Sequence, residues 1–496
     1  MNKHIEHISI AFFATVLLVW LVPSMLLATD PLPRPNVLFI AVDDLRSDLG
    51  ALGVLHAKTP QLDAFASTAR LFRRHYVQVP TCGASRCALW RGQYPSVGSQ
   101  VNNGGIASTQ ANWGTRSLPA LFRQNGYQTL AIGKLTHHPG GLTGKNWAEG
   151  PEELPGAWDR AWIPDGPWKS PEAIMHGYAD GEDRKPGKSP AWQAKDGPDE
   201  AYPDAWVAKE AVATLTQLAT QTQPWFFGVG FFKPHLPFAA PKKWHDLHSS
   251  SVPDLPPNAA AKPNWPSGWH ASSEFRRNYG HEAGRDPATD VAYARLLRGA
   301  YAASVSYMDA QVGRVLDALQ DLQLDKNTIV IVWSDHGFLL GEHAIWGKHC
   351  LYEHALRTPM LIRYPGMLYP GTGSDTVVET VDLYPTLADL CSLPAPKELD
   401  GRSLRPQLID PSANEHKPAT SFWTDGQRTV RTDRWRLIAQ HDKDRGEQRL
   451  ELFDYETDSD ETKNLAASHP EVVRELLAHL QRMPNPTASN ASKKAN

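Results

Sequence analysis

Four apolar runs in this 496-residue chain stop at residues able to do chemistry. Val37 to Val42 leads into Asp43-Asp44, and Thr129 to Ile132 leads into Gly133-Lys134-Leu135-Thr136-His137-His138. Trp225 to Phe232 leads into Lys233-Pro234-His235, and Ile329 to Trp333 leads into Asp335-His336-Gly337. Two adjacent carboxylates at a buried strand end repel each other and need a cation. Taken alone, Asp43-Asp44 reads equally well as a solvated turn. Asp335 and His336 add an oxygen and a nitrogen from a second strand end, which favours a metal. An oxygen-rich donor set suits Ca²⁺ or Mg²⁺. A fifth feature is Cys82-Gly83-Ala84-Ser85-Arg86, set between Pro80-Thr81 and the apolar stretch Cys87 to Trp90. A single Cys is usually an inert buried side chain. With Arg86 one helical turn further on, its thiolate could instead act as a nucleophile.

These residues meet only if the runs are neighbouring strands of one sheet. Runs rich in Val, Ile and Phe, separated by helical patterns, point to an α/β sheet. Ligands of such sheets bind beyond the carboxyl ends of the strands, so four polar ends converge on one pocket. Met360 to Ile362 reads as a further strand. Thr59-Pro60 opens a helical pattern through Leu62, Phe65, Ala66 and Ala69, with Thr as N-cap and Pro at the first helical position. Tyr293 to Leu322 reads as a long helix, apolar at Leu297, Ala300, Tyr301, Val305, Met308, Val312, Val315 and Leu319. Residues 140 to 290 are rich in Pro, Gly and Trp, and hold ten of the 17 Trp. Apart from the Trp225 strand their periodicity is weak, which predicts long ordered loops and short helices around the mouth of the pocket. Trp faces can stack on sugar rings, but most buried Trp are simply core. After residue 410, Thr429 to Ile438 and Leu450 to Tyr455 read as antiparallel strands with a turn near Asp442 to Glu447. Pro470 to Met483 reads as a closing amphipathic helix.

Composition narrows the function classes. Hydrophobic residues at 41% and charged residues at 21% predict a packed globular core. A formal net charge of -4 lacks the basic excess of a general nucleic-acid binder. Lys3, the uncharged run Ile8 to Ala28 and the small residue at its end read as a secretory signal peptide over residues 1–28. That predicts an exported protein, periplasmic or secreted, with no stable membrane partner. The same run is long enough to span a bilayer as an uncleaved anchor, but Pro23 and the small residues suit cleavage better. Cys82, Cys87, Cys350 and Cys391 are too few for a disulfide framework. The expected division is a main domain over 29–410, an α+β subdomain over 411–484 and a disordered tail over 485–496.

The ordered motifs resemble the type I sulfatases of the alkaline phosphatase superfamily, and among them the iduronate-2-sulfatase-like branch. The resemblance is carried by Pro35-Asn36-Val37-Leu38 before Asp43-Asp44, and by Cys82-Gly83-Ala84-Ser85-Arg86 with Gly92 after it. It continues through Gly133-Lys134-x-x-His137, Lys233-Pro234-His235-Leu236-Pro237-Phe238, and Asp335-His336-Gly337 through Gly341-Glu342-His343 to Trp346-x-Lys348. It spans roughly residues 35 to 465, including Glu451-Leu452-Phe453-Asp454 and Glu461-Thr462-Lys463-Asn464-Leu465. Each motif is weak alone, and five in order are specific.

The resemblance implies a large mixed, mostly parallel sheet flanked by helices, with a small C-terminal antiparallel sheet and a helix. It implies that Cys82 is oxidised by a formylglycine-generating or other sulfatase-maturating enzyme to formylglycine, held as an aldehyde hydrate. One hydroxyl attacks sulfur and the alcohol leaves; the second expels sulfate and restores the aldehyde. Asp43, Asp44, Asp335 and His336, with position 82, would hold one Ca²⁺. Arg86 would orient the hydrate, Lys134 and Lys348 would clamp sulfate oxygens, and His137 would handle the proton for elimination. His138 also fits that place, but the spacing from Lys134 favours His137. His235 is the expected general acid, with Lys348 its competitor. The implied substrate is a sulfated oligo- or polysaccharide, such as one carrying a 2-sulfated uronic acid. Two other readings stand beside it: a phosphonate or phosphate ester hydrolase of the same superfamily, and an inactive saccharide-binding homologue. The chain departs from the common motif at Ala84, where Pro is usual, and at Gln93, where Arg is usual.

Overall fold

The computed structural model describes residues 34–138, 152–259, 272–281, 284–415, 417–441 and 448–486. The expected signal peptide, the turn near Asp442 to Glu447, most of the polar tail, and Trp147, Trp265 and Trp269 lie outside the described residues. Among the described residues no helix is long and apolar enough to cross a membrane.

The main sheet has eight strands, in the spatial order Ser374–Glu379, Arg70–Tyr76, Arg357–Arg363, Thr328–Ser334, Asn36–Asp43, Trp225–Pro234, Gln128–Gly133 and Arg160–Trp162. Seven run parallel, and Arg357–Arg363 alone runs against its two neighbours. The strand Asn36–Asp43 is central and covered on both faces. Leu38, Ile40 and Val42 pack into one core with the helices Pro203–Leu218 and Val291–Asp321. Val37, Phe39 and Ala41 enter a second core with Leu89, Trp90, Leu121 and Leu387. Burial of both faces explains why this strand reads as an unbroken apolar run. Each large side chain so buried contributes about 1.5–3 kcal/mol. Because the strands carrying Asp43, Lys134, His235 and Asp335 run parallel, their polar ends emerge along one edge.

The long helix Val291–Asp321 starts where Asp290 accepts a hydrogen bond from the Tyr293 N–H at 2.9 Å. The C-terminal sheet orders Ala419–Phe422, Arg428–Arg431, Trp435–His441 and Gln448–Asp454, all antiparallel, with the helix Pro470–Arg482 packed on it. It is tied to the main sheet through the Phe422 N–H to the Gln78 carbonyl at 2.8 Å and the Thr420 N–H to Glu379 Oε1 at 2.8 Å.

Two expectations need correction. Thr429 to Ile438 is not one strand but two paired ones, Arg428–Arg431 and Trp435–His441. Thr432-Asp433-Arg434 makes the turn, closed by the Thr432 N–H on the Trp435 carbonyl at 2.8 Å. Apolar residues on both sides hid it. Residues 140 to 290 hold a 16-residue helix, Pro203–Leu218, as well as loops. Its core face is built largely from Ala205, Ala208 and Ala211, which give a weak hydrophobic period. Among the described Trp of that stretch, Trp158, Trp168 and Trp225 are core residues and Trp162 stacks on Phe227.

His75 sits buried in the strand Arg70–Tyr76, with Nδ1 3.0 Å from Thr358 Oγ1 and Nε2 2.9 Å from Thr380 Oγ1. Burial pushes its imidazole down to about 3. The folded protein therefore keeps His75 neutral while the unfolded chain takes up a proton near pH ~6.5. Its contribution is complete above that value and is lost as pH falls from there towards the folded value. Urea unfolding followed from pH 7 to 4 should show His75→Gln losing less stability than the parent, by up to about 1.4 kcal/mol per pH unit. Parallel losses in the two proteins would overturn this.

Candidate active site

Asp43 closes its strand and Asp44 follows with a φ of 60°, a left-handed turn that side-chain-bearing residues seldom adopt. The turn aims both carboxylates at the sheet edge. Asp44 N–H and His336 N–H both donate to Asp335 Oδ1, at 3.1 and 3.0 Å. Cys82 is the first residue of the helix Cys82–Arg91, and Arg86 lies one turn along it. Arg86 Nε donates to Asp335 Oδ2 at 2.9 Å, and its Nη2 lies 3.5 Å from Asp43 Oδ1. Its Nη1 donates to the Lys134 carbonyl.

Lys134 leaves the strand Gln128–Gly133 through Gly133, whose φ is 74°. A Cβ there would sit 2.1 Å from the Gly230 carbonyl oxygen, so only glycine lets the turn lie against the neighbouring strand. Lys134 Nζ then ion-pairs with Asp43 Oδ2. Lys348 comes from a short ribbon, Leu339–Leu340 against Trp346–Gly347. Its Nζ meets Asp44 at 3.0 and 3.2 Å, Glu274 Oε1 at 3.2 Å and Cys82 Sγ at 3.6 Å. His336 Nε2 also lies 3.2 Å from the sulfur.

Asp43, Asp44, Cys82, Arg86, Lys134, His235, Asp335, His336 and Lys348 are all buried. One group of ligand atoms from Asp43, Cys82, Asp335 and His336 fits within 4.8 Å, and so does another from Asp43, Asp44, Cys82 and His235. Burial opposes the ionised Asp43, yet Lys134, His235 and Arg86 hold it well below the usual carboxylate range. Asp44 fares worse: burial, with repulsion from Asp43 and Glu274, outweighs Lys348 and His336 and lifts it to about 7. Burial and Asp43 push the Cys82 thiol well up despite Lys134 and Lys348. Despite burial, Asp44, Cys82 and Glu274 raise Lys348 well above an ordinary amine, so it stays charged.

Of the residues singled out in the sequence, His137 stands apart from this tight set. It is half-buried, with Nδ1 unpartnered among the described residues and its ring edge-on to His138 at 4.8 Å. Burial, then Lys134 and His138, push its imidazole well below the ordinary value. Lys233 turns away from the site and braces the His235 loop, with Nζ donating to the carbonyls of His176 at 2.9 Å and Pro237 at 2.9 Å. Ala84 packs with Val79, Ala88, Tyr94 and Phe422 in a small core. Gln93, at the far end of the Cys82 helix, accepts from Arg91 at 2.8 Å and donates to the Glu398 carbonyl at 2.6 Å.

Two residues of the site were not singled out in the sequence. Glu274 opens the helix Glu274–Asn278 from a stretch without periodicity and touches Lys348 and His235, the latter at 3.5 Å. Burial disfavours its charge, but Lys348 and His235 hold the carboxyl well below its usual range. Asn103 Oδ1 accepts from both the Gly83 N–H and Thr81 Oγ1 at 3.0 Å, which caps the Cys82 helix from outside. Only the turn signal Asn102-Asn103-Gly104-Gly105 marks it.

A mostly parallel sheet with flanking helices and polar strand ends converging on one edge agrees with the expected alkaline phosphatase-like fold. The sulfatase family pattern matches residues 35–393, and a pattern described as N-sulphoglucosamine sulphohydrolase, C-terminal, matches residues 341–485. Iduronate 2-sulfatase of Mus musculus is 31% identical over 424 residues, covering 79% of this chain and 74% of that protein. A sulfatase of Formosa agariphila is 30% identical over 433 residues, covering 82% and 79%. Two solved structures share the fold. A 2-O GAG sulfatase superposes with a TM-score of 0.67 at 23% identity, covering 90% of this chain and 91% of its own. The phosphonate monoester hydrolase of Silicibacter pomeroyi superposes with a TM-score of 0.70 at 24% identity, covering 91% and 96%. The chain belongs to the sulfatase family.

Arg86 is the buried cation shared by Asp43 and Asp335. Removing one partner of a buried charge set leaves the others uncompensated, at a cost of about 3–5 kcal/mol. Arg86→Met should therefore lower stability to denaturant by that order, and Arg86→Lys should restore only part, since one ammonium cannot replace the guanidinium fork. An unchanged midpoint for Arg86→Met would refute this account of the site.

Proposed function

We propose that this sulfatase hydrolyses a sulfate ester on a saccharide, in the manner of an iduronate-2-sulfatase acting on a 2-sulfated uronic acid. Its nucleophile would be formylglycine made from Cys82 by a maturating enzyme, beside one Ca²⁺. The observation that carries this is the setting of Cys82: the first residue of a helix, 3.2 Å from His336 Nε2 and 3.6 Å from Lys348 Nζ, over three buried carboxylates. The saccharide is supported by the 31% identity to iduronate 2-sulfatase. The uncharged run from Ile8 to Ala28 supports export to the periplasm or beyond.

The donor set suits the metal. Asp43 and Asp335 share one close group of ligand atoms with His336, and Asp44 joins Asp43 in a second; together they would make an oxygen-rich site for a hard cation. Asp44, lifted to about 7, is short of positive charge that a divalent ion would provide. Such an ion would polarise a sulfate oxygen and favour ionisation of the nucleophile. The position-82 side chain also fits conversion. As a thiol it is held protonated by burial and Asp43, which makes it a poor nucleophile. As an aldehyde hydrate it would supply one hydroxyl to displace the alcohol and a second to release sulfate.

The other residues divide the remaining work. Lys134, Lys348 and Arg86 are fixed cations, already paired and oriented, that stabilise charge on the sulfate oxygens without reorganisation. His235 is the proposed donor to the departing sugar oxygen, a role that needs the doubly protonated ring, which burial and Lys348 oppose and Asp43 and Glu274 favour. His235 Nδ1 lies 2.7 Å from the Leu236 carbonyl, which anchors the ring and leaves Nε2 facing Glu274 at 3.5 Å. Lys348 is the alternative donor. His137, kept neutral, takes the proton when sulfate departs.

Mass spectrometry of the Cys82 peptide from the native host should show the loss of about 18 Da that accompanies Cys-to-aldehyde conversion. The same protein should cleave an aryl sulfate faster than an aryl phosphonate, and Cys82→Ala should abolish that turnover. An unmodified thiol sinks the mechanism, and a phosphonate preference sinks the sulfate assignment. Ca²⁺ should raise the melting temperature, and Asp335→Asn should remove that rise. A rise surviving in the variant would place the ion elsewhere.

A further inference from the structure

Glu274 is an anomaly in a pocket built for an anion. A carboxylate there repels a sulfate ester, and charges of the same sign set side by side cost several kcal/mol. Its Oε1 faces Lys348 Nζ at 3.2 Å and His235 Nε2 at 3.5 Å. Its Oε2 is buried and has no hydrogen-bond partner among the described residues. A buried acceptor left unpaired is costly unless something supplies a donor. The cations engage Oε1, which among the described residues leaves Oε2 open to accept from a bound molecule.

The position of Glu274 limits what that donor is. Lys348 touches both Cys82 Sγ, at 3.6 Å, and Glu274, so the carboxylate stands one cation away from the reacting atom. It touches the two groups, His235 and Lys348, assigned to the departing oxygen. The nearest donor a saccharide offers to its own sulfated oxygen is the hydroxyl on the adjacent ring carbon. Resting on the saccharide reading above, we propose that Glu274 is a specificity-determining residue that accepts a hydrogen bond from this vicinal hydroxyl and keeps a second sulfate out of its place. A site built to bond a substrate hydroxyl rejects the analogue without it strongly, because its own buried polar group is then left unpaired. Here charge repulsion adds to that rejection.

The experiment compares two forms of one sugar ring, one sulfated beside a free hydroxyl and the other sulfated at both adjacent positions. Sulfate release from each is measured for the parent and for Glu274→Gln, which keeps the shape and an acceptor oxygen but removes the charge. The parent should favour the singly sulfated ring by at least about tenfold in kcat/KM, and Glu274→Gln should shrink that ratio to within a few-fold of unity. The charge-preserving Glu274→Asp should keep the preference. A ratio unchanged in Glu274→Gln, or an equal loss on both rings, overturns the assignment and leaves Glu274 as a brace for Lys348. A parent that releases sulfate from aryl sulfate but from neither ring overturns the saccharide reading itself, and this inference with it.

Discussion

Three carboxylates, Asp43, Asp44 and Asp335, are wholly buried at the end of one sheet, and everything near them is arranged to make that tolerable. Isolated buried charges are prohibitive; paired ones are tolerated only with close geometry and satisfied hydrogen bonds. At an effective dielectric near 20, a contact at 3 Å between opposite charges is worth about 5 kcal/mol. That exceeds any single packing contact in the same region. Each carboxylate therefore fixes a cation from a distant segment: Lys134 on Asp43, Lys348 on Asp44, and Arg86 on Asp335. Asp44 is the least compensated of the three: burial first, then repulsion from Asp43 and Glu274, lifts it to about 7 despite Lys348 and His336.

The same rule is repeated one layer out. Glu353, five residues beyond Lys348, receives Arg436 at 2.5 Å from the C-terminal sheet, and Arg436 Nε also reaches Glu461 at 3.0 Å. The Arg436 guanidinium also donates to the Leu351 carbonyl at 3.3 Å and to Tyr455 Oη at 2.9 Å. Asn258, from the stretch before Glu274, donates to the Asp460 carbonyl at 3.0 Å. The small C-terminal sheet thus braces the segment that delivers Lys348, through an arginine more than eighty residues later.

Much of this was legible in the sequence because the informative residues stand at strand ends. Val37 to Val42, Trp225 to Phe232 and Ile329 to Trp333 are buried on both faces, so their apolar runs are unbroken and the polar residue after each stands out. What escaped was set by contacts that leave no local trace. The strand Arg70–Tyr76 holds three arginines, and Arg70 is buried only because its guanidinium meets the carbonyls of Gln407 at 3.0 Å and Leu408 at 3.1 Å. The helix Pro203–Leu218 hides behind alanines. Glu274 and Asn103 act across long sequence separations, and neither lies at the end of a periodic element.

The pose of the Cys82 helix shows which of these forces decides. Thr81, at its N-cap, makes no capping bond of its own, and Asn103 supplies the acceptor for the Gly83 N–H. Gly83 is required there, because a Cβ would fall 2.2 Å from the Asn103 carbonyl oxygen. A cap is worth about 1 kcal/mol, enough to define where the helix begins but not which way it faces. The rotation is set by Arg86, whose bonds to Asp335 and to the Lys134 carbonyl carry several times that energy. With Arg86 so anchored, the residue one turn earlier on the same face has to point at His336 and Lys348. The residue that neutralises the acidic floor is therefore also the one that aims position 82 at His336 and Lys348.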